Sequence, residues 1–290
     1  MSNVRMLLGD GIAQARYEAL STTVRSTCDA KGVRAPHLVI LSQHDGNGPT
    51  ASLIELKKKR GEACGIIVTE KNFDRGTASA EISSHVALLE ADPSVDGILL
   101  QLPFVDEPDL TEVFSQMKAK KDVDRFSTES LGLAFLGRED YRTAVTKAVF
   151  AIIDEYDIDL KGKMLTVLGS GLYVGNTIAQ ACIRRGATVT VCNEYTQDLA
   201  SCTLRADIVI SCTGKKHLVQ PEMVSDNTVL IDVGFGKDLN GVYGDADPRL
   251  YESELSLSLT PVPGGIGPLT IASVLAETVR IWSIHYQQLA

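Results

Sequence analysis

Lys59, Gln101 and Asp124 are the polar residues of the first half whose types suit proton-transfer and ligand-orienting work. Thr50 to Cys64 reads as a helix, on which Glu55 and Lys59 stand four apart and share a face, so they can pair. Such a lysine is either half of a solvated surface pair or an ammonium turned into a cleft for acid–base chemistry. Gln101 ends an apolar strand just before Leu102-Pro103, where its amide can face a cleft at a strand's carboxyl end. Asp124 closes Lys121-Asp122-Val123-Asp124. Taken singly, each of these residues reads more readily as structural than as functional.

A second set of residues suits an anionic cofactor. Met164 to Leu168 reads as a strand, and Gly169-Ser170-Gly171-Leu172-Tyr173-Val174-Gly175 follows it and opens a helix. Glycines there permit a tight turn and bring a pyrophosphate close to the free N–H groups of a helix N-terminus. Glu194 comes 23 residues after Gly171, just past the next strand, where a carboxylate can accept from ribose hydroxyls and would repel a 2′-phosphate. That pair of features predicts NAD, with NADP the alternative. A third stretch, Thr260-Pro261-Val262-Pro263-Gly264-Gly265-Ile266-Gly267-Pro268-Leu269-Thr270, combines fixed φ at proline with free φ at glycine. It reads as a shaped loop that offers its backbone to a flat ligand, with Thr270 capping the helix behind it.

These residues need elements to hold them, and the sequence supplies an alternating pattern. Helices are predicted over 11–31, 50–64 and 79–91, and strands over 37–42, 65–68 and 97–101. The stretch 110–140 is more polar and less periodic, and a helix follows from about Thr146 to Asp154. Strands recur at 188–192, 207–211 and 228–232, and a last helix runs from Ile271 to about His285. This is the β-α-β rhythm of an α/β fold with mostly parallel sheets.

Composition narrows the rest. The chain has 290 residues, 44% of them hydrophobic and 22% charged, as in ordinary globular domains. No apolar run is long enough to cross a membrane, so no membrane association is expected. The net charge of −9 speaks against a general nucleic-acid binder. The six cysteines lack Cys-x-x-Cys spacing and are expected to be reduced, and no metal-ligand set is spaced along the chain.

The ordered set of motifs resembles the methylenetetrahydrofolate dehydrogenase/cyclohydrolase family along nearly the whole chain. The loop at 260–270 resembles that family's Thr-Pro-Val-Pro-Gly-Gly-Val-Gly-Pro-Met-Thr with two conservative changes. Gln101-Leu102-Pro103, Lys121 to Asp124, Ile231-Asp232-Val233-Gly234 and Gly244-Asp245-Ala246-Asp247 fall in the family's order.

The resemblance implies two α/β domains flanking a cleft, the second a Rossmann-type domain. Residues 1–145 would form the folate-binding domain, with 270–290 packing back on it, and 146–269 the nucleotide domain. It implies hydride transfer from 5,10-methylenetetrahydrofolate to a nicotinamide, then hydrolysis of the methenyl cation to 10-formyltetrahydrofolate. Lys59 would activate the hydrolysis, Gln101 would orient it and Asp124 would bind the pterin. Ser52, Glu55, Leu102, Pro103, Pro263, Gly264 and Gly265 would line the folate. Gly169, Ser170, Gly171, Tyr173, Val174 and Gly175 would hold the dinucleotide, joined by Glu194, Thr213, Gly214, Asp232 and Gly234. A homodimer in the cytoplasm and polyglutamylated folates, drawn by Lys57 to Arg60, are further implications.

Three departures from the family pattern bear on the chemistry. The family's Tyr-x3-Lys, aligned through Ala51-Ser52, places Glu55 at the tyrosine, where its carboxylate is expected to favour the ammonium form of Lys59. The family's Gly-Arg-Ser turn and later serine, which serve a 2′-phosphate, are Gly169-Ser170-Gly171 and Glu194 here. Its Pro-Cys-Thr-Pro-x-Gly becomes Arg142-Thr143-Ala144-Val145-Thr146-Lys147, with Thr146 aligned on the threonine.

Overall fold

The computed structural model describes residues 3–239 and 241–287. In chain order it begins with strand β1 (Val4–Met6), helix α1 (Asp10–Lys31), β2 (His37–Ser42) and α2 (Pro49–Ala63). Then come β3 (Ile67–Asn72), α3 (Ser79–Ala91), β4 (Gly97–Leu100), α4 (Thr111–Gln116) and α5 (Thr128–Phe135). The second half has α6 (Ala144–Glu155), β5 (Met164–Leu168), α7 (Gly175–Arg184), β6 (Thr188–Cys192), α8 (Leu199–Thr203), β7 (Ile208–Ser211) and β8 (Val229–Asp232). A hairpin β9 (Gly236–Asp238) and β10 (Gly241–Tyr243), β11 (Leu257–Leu259) and α9 (Ile266–Gln287) complete it. Among the described residues no helix is long and apolar enough to cross a membrane.

The chain divides into two compact units. One holds residues 14–133 and 271–290, the other 1–13 and 134–270. The expected boundary near residue 145 therefore lies earlier, at Ala134, and the N-terminal segment belongs to the second unit. The cause is strand pairing: β1 lies parallel to β11, with Val4 opposite Leu257 and Met6 opposite Leu259. From Ile271 onward α9 belongs to the first unit, where the Trp282 indole donates to the Arg34 carbonyl at 3.0 Å.

In the first unit the sheet order is β3-β2-β4, all parallel. Leu38, Ile40 and Leu41 of β2 and Ile98, Leu99 and Leu100 of β4 are buried, as in strands covered on both faces. The strand expected at 65–68 starts later, at Ile67. Gly65 ends α2 with φ +78, its N–H donating to the Glu62 carbonyl and that of Ile66 to the Gly61 carbonyl. That pair of hydrogen bonds is a Schellman stop, so Gly65 and buried Ile66 close the helix rather than open the strand. Lys121 to Val123 extend the sheet, because the Ile98 N–H donates to the Lys121 carbonyl (2.7 Å) and Ile98 bridges Asp122 in parallel.

In the second unit six strands run parallel in the order β1-β11-β8-β7-β5-β6. In this sheet β6 lies on one side of β5 and β7 on the other, the dinucleotide-binding order with its switch point between β5 and β7. Its core includes Leu168, Val209, Leu230, Leu250 and Leu259.

Candidate active site: a buried lysine and a dinucleotide turn

Helix α2 buries Ile54, Lys57 and Gly61, a spacing of three and four that defines one face. Lys57 is therefore the lysine turned inward, 6% exposed, and its ammonium donates to the Gln101 amide oxygen at 2.6 Å. Lys59 is exposed, because two residues along a helix is a rotation of about 200°. The inward-facing lysine expected at Lys59 is thus Lys57, which becomes the candidate for proton handling. The Glu55–Lys59 pair is absent as well: Glu55 is exposed and accepts from Lys58 at 2.7 Å, and Lys58 also reaches Glu70 at 2.9 Å. The basic run is correspondingly broken up, with Lys57 inside, Lys58 neutralised and only Lys59 and Arg60 turned out.

Gln101 is itself buried, placed at the end of β4 by its N–H bond to the Leu41 carbonyl (2.8 Å), and its amide nitrogen donates to the Leu102 carbonyl (3.1 Å). The parallel run of 121–123 beside β4 carries half-buried Asp124 to the same end of the sheet. Its turn is fixed by Asp122, whose carboxylate accepts the N–H groups of Arg125, Phe126 and Ser127. Burial pushes Lys57 down to about 8, and the Asp124 carboxylate acts against that fall. The site thus holds a lysine that gives up its proton near pH 8, one neutral acceptor and one carboxylate. That set can hold and pass a proton at Nζ. Ser52 is exposed and its hydroxyl donates to the Gly48 carbonyl (3.0 Å), Leu102 is half-buried and Pro103 is exposed.

In the second unit the glycine turn sits at the switch point. A Cβ on Gly169 (φ +106) would lie 2.9 Å from the Cys212 carbonyl oxygen, and one on Gly175 only 1.8 Å from the Gly169 carbonyl oxygen. Gly171 faces open space. Glycine is therefore required twice to fold the turn against β7, while the middle position leaves room beside the α7 N-terminus, which is the cradle a pyrophosphate needs. Ser170, Tyr173 and Val174 belong to this turn, and Thr177 anchors it by donating to the Tyr173 and Val174 carbonyls. Glu194 is exposed two residues beyond β6, and Leu168 and Cys192 are register partners, so it stands beside the turn. Thr143 caps α6 by accepting from the Thr146 N–H, so the helix starts two residues before the expected Thr146.

Thr213 and Gly214 follow β7 at the same edge, exposed, with Gly214 at φ +68. Asp232, by contrast, is fully buried and accepts the N–H groups of Gly234, Asp245 and Ala246, so it braces the strand ends instead of presenting its carboxylate. The 260–270 stretch is shorter as a loop than expected. α9 starts at Ile266, and Thr270 lies inside its first turns, donating to the Ile266 carbonyl, rather than capping it. Pro268 costs nothing there, since first-turn N–H groups have no helical acceptor. Gly264 (φ +102) accepts the Gly9 N–H at 2.8 Å, and a Cβ on Gly9 would lie 1.9 Å from the Gly265 carbonyl oxygen. Pro263 is exposed at the loop's tip.

A parallel sheet with a glycine turn at its switch point, and a separate α/β unit with a desolvated lysine, define a dinucleotide-binding α/β protein with a second chemical site. Residues 7–124 match the tetrahydrofolate dehydrogenase/cyclohydrolase catalytic domain, and residues 143–286 match the NAD(P)-binding domain of the same family. The chain is 31% identical over 283 residues to a bifunctional protein FolD from Methanosarcina barkeri, covering 97% of each. It is 37% identical over 237 residues to one from Fusobacterium nucleatum, covering 81% of this chain and 83% of that one. The crystal structure of the bifunctional FolD dehydrogenase/cyclohydrolase from Campylobacter jejuni superposes with a TM-score of 0.89 at 30% identity, covering 97% of this chain and 99% of that one. The chain belongs to the tetrahydrofolate dehydrogenase/cyclohydrolase family.

Lys57 is the functional candidate that sequence reasoning missed. The signal in the sequence was Gly65 as the helix stop, eight residues after Lys57. Aligning from the polar Ala51-Ser52 end hid it. With Lys57 as the lysine, the residue four before it is half-buried Leu53, so the position of the family's tyrosine is aliphatic.

Proposed function

We propose that the chain oxidises 5,10-methylenetetrahydrofolate with NAD and hydrolyses the resulting methenyl cation to 10-formyltetrahydrofolate, with Lys57 as the proton-handling group. The observation that carries this reading is the buried Lys57–Gln101 bond at 2.6 Å beside Asp124, in a region matched to the family's catalytic domain. A bound nicotinamide dinucleotide supplies the hydride acceptor. The glycine turn gives its pyrophosphate backbone N–H groups and a helix N-terminus, and correct placement is the main contribution such a site makes.

Lys57 serves the second step. Water adding to the methenyl carbon loses a first proton on attack and a second as the formyl C=O forms; the ring nitrogen that leaves gains one, and the other, balancing the cation's charge, goes to solvent. A lysine near pH 8 can take the first as amine and return it as ammonium. Gln101 accepts one N–H and so fixes the direction of Nζ, while Asp124 opposes full neutralisation. Asp124 is the group of this unit suited to the pterin, accepting from its amino and ring N–H groups.

Support for NAD over NADP comes from Ser170, where an arginine would neutralise a 2′-phosphate, and from exposed Glu194 beside the turn, which would repel one. The test is a paired assay on one preparation, following reduced cofactor with NAD and with NADP alongside methenyl hydrolysis. Hydrolysis and a clear NAD preference are expected, and Glu194→Ser should narrow that preference. A wild type that works better with NADP removes the role given to Glu194. A wild type without hydrolysis removes the role given to Lys57.

A further inference from the structure

Two sequence motifs, Asp232-Val233-Gly234 and Gly244-Asp245-Ala246, bring two buried carboxylates together in a clasp. Asp232 and Asp245 are each 0% exposed. The Asp232 carboxylate accepts the N–H groups of Gly234 (2.9 Å), Asp245 (3.1 Å) and Ala246 (2.8 Å), which fixes the 244–246 loop against the end of β8. Asp245 acts in the other direction. Its Oδ2 accepts from the Ser211 hydroxyl (2.6 Å), the Thr213 N–H (2.8 Å) and the Thr213 hydroxyl (2.8 Å). The Thr213 hydroxyl in turn accepts the Lys215 N–H at 3.1 Å. One carboxylate oxygen thus sets the backbone from the last residue of β7 through Lys215.

The packing leaves no slack. A Cβ on Gly234 would fall 2.1 Å from Asp245 Oδ1, and one on Gly244 would fall 2.2 Å from Asp232 Oδ2. Both glycines are therefore demanded by the opposite aspartate. Asp245 Oδ1 is buried and has no hydrogen-bond partner, an arrangement whose desolvation cost is borne only if the second oxygen has a task. The turn it holds leaves β7 at the switch point, next to Gly169, whose missing Cβ accommodates Cys212. It ends in Gly214 at φ +68, facing open space.

From this geometry we infer that Asp245 is a positioning residue for dinucleotide binding, acting through Thr213 to hold the 213–215 turn in its binding conformation. The inference rests on the reading of Thr213 and Gly214 as cofactor contacts. Asp245 has no exposed atom with which to touch the dinucleotide, so its effect is on affinity and not on the hydride transfer itself. The clasp also accounts for the state of Asp232: burial pushes its carboxyl up to about 6, its backbone N–H donors oppose that rise, and the neighbouring Asp245 charge adds to it.

The experiment measures NAD dissociation constants and steady-state constants for wild type, Asp245→Asn and Ser211→Ala. Ser211 bonds to Asp245 through a fully buried hydroxyl, so its removal loosens the clasp without altering the cofactor surface. The expected result is NAD binding weakened about tenfold in Asp245→Asn and about threefold in Ser211→Ala, the scale of losing bonds to a charged acceptor. kcat at saturating NAD should stay near that of wild type. Methenyl hydrolysis needs no dinucleotide and reports an intact fold, so it should persist in both variants. Unchanged NAD affinity in a hydrolytically competent Asp245→Asn overturns the inference. If that variant does not fold, unchanged affinity in Ser211→Ala overturns it equally. A wild type that binds neither NAD nor NADP removes the cofactor reading beneath it, and a wild type that binds while the variants lose kcat alone shows Asp245 in another role.

Discussion

Lys57 in one unit and Asp232 in the other are both ionisable groups taken out of water, and both are driven toward their neutral forms, the lysine down to about 8 and the carboxyl up to about 6. Their surroundings then diverge. Asp232 is enclosed by backbone N–H groups from three residues that engage both of its oxygens. Lys57 has three donors and gives one to the Gln101 amide oxygen. Burial alone therefore does not mark a reactive group. A shifted group whose bonding capacity is filled by backbone is part of the frame, whereas one with capacity left over at a strand's carboxyl end is available to a substrate.

The hardest test of that contrast is the choice between two lysines on one helix. Lys57→Met should lower methenyl hydrolysis by about two to four orders of magnitude, the span of a lost general acid–base group, while much of the hydride transfer persists. Lys59→Met should leave both activities near wild type, because Lys59 is exposed on another face of α2. Parallel assays of the two variants decide it, and equal losses would return Lys59 to the site.

Replacing the neutral acceptor sharpens the comparison by making the lysine's surroundings more like those of a structural ion pair. Gln101→Glu puts a carboxylate at the 2.6 Å contact and so favours the ammonium, moving Lys57 upward from about 8. The hydrolytic rate, which needs some free amine, should fall about tenfold near pH 7, with its rising limb displaced to more alkaline pH. A pH–rate profile that keeps its wild-type limb in Gln101→Glu would mean that Lys57 does not set it.

Much of the architecture was legible in the sequence, and the failures have physical causes. Buried parallel strands such as 37–42 and 164–168 are continuous apolar runs, and their bounds were readable directly. β3 was misplaced because an edge strand tolerates Thr69, Glu70, Lys71 and Asn72, which read as polar loop. β1 and β11 were missed because each has three residues, too few for alternation to register, and their pairing joins opposite ends of the chain. At the site, Gln101, Asp124 and the glycine turn were placed by strand ends and fixed turns. Lys57 was not, because four successive basic residues hide which one a helix turns inward. Asp232 misled in the opposite way: its place beside the cofactor strands was visible, but its complete enclosure by N–H groups depends on the distant 244–246 loop.

The smallest expected effect separates reactive burial from structural burial by stability. Lys57 has a folded-state value of about 8 against an ordinary 10.5, so between those values the unfolded chain binds more protons than the folded one. Stability therefore rises with pH through that window, and below about pH 8 the native state bears the full cost of the buried ammonium, about 3 kcal/mol from the shift. Lys57→Met removes that cost but strands the Gln101 amide oxygen, which returns about 2 kcal/mol. The variant should then be more stable than wild type by about 1 kcal/mol at pH 7. The sign should reverse near pH 10, where the wild-type lysine is already neutral in the fold and little cost remains to be removed. Urea unfolding of both proteins at the two pH values reads this directly. A stability difference that is the same at both would mean that Lys57 keeps its ordinary proton affinity when buried, and that Gln101 and Asp124 hold it as firmly as the backbone holds Asp232.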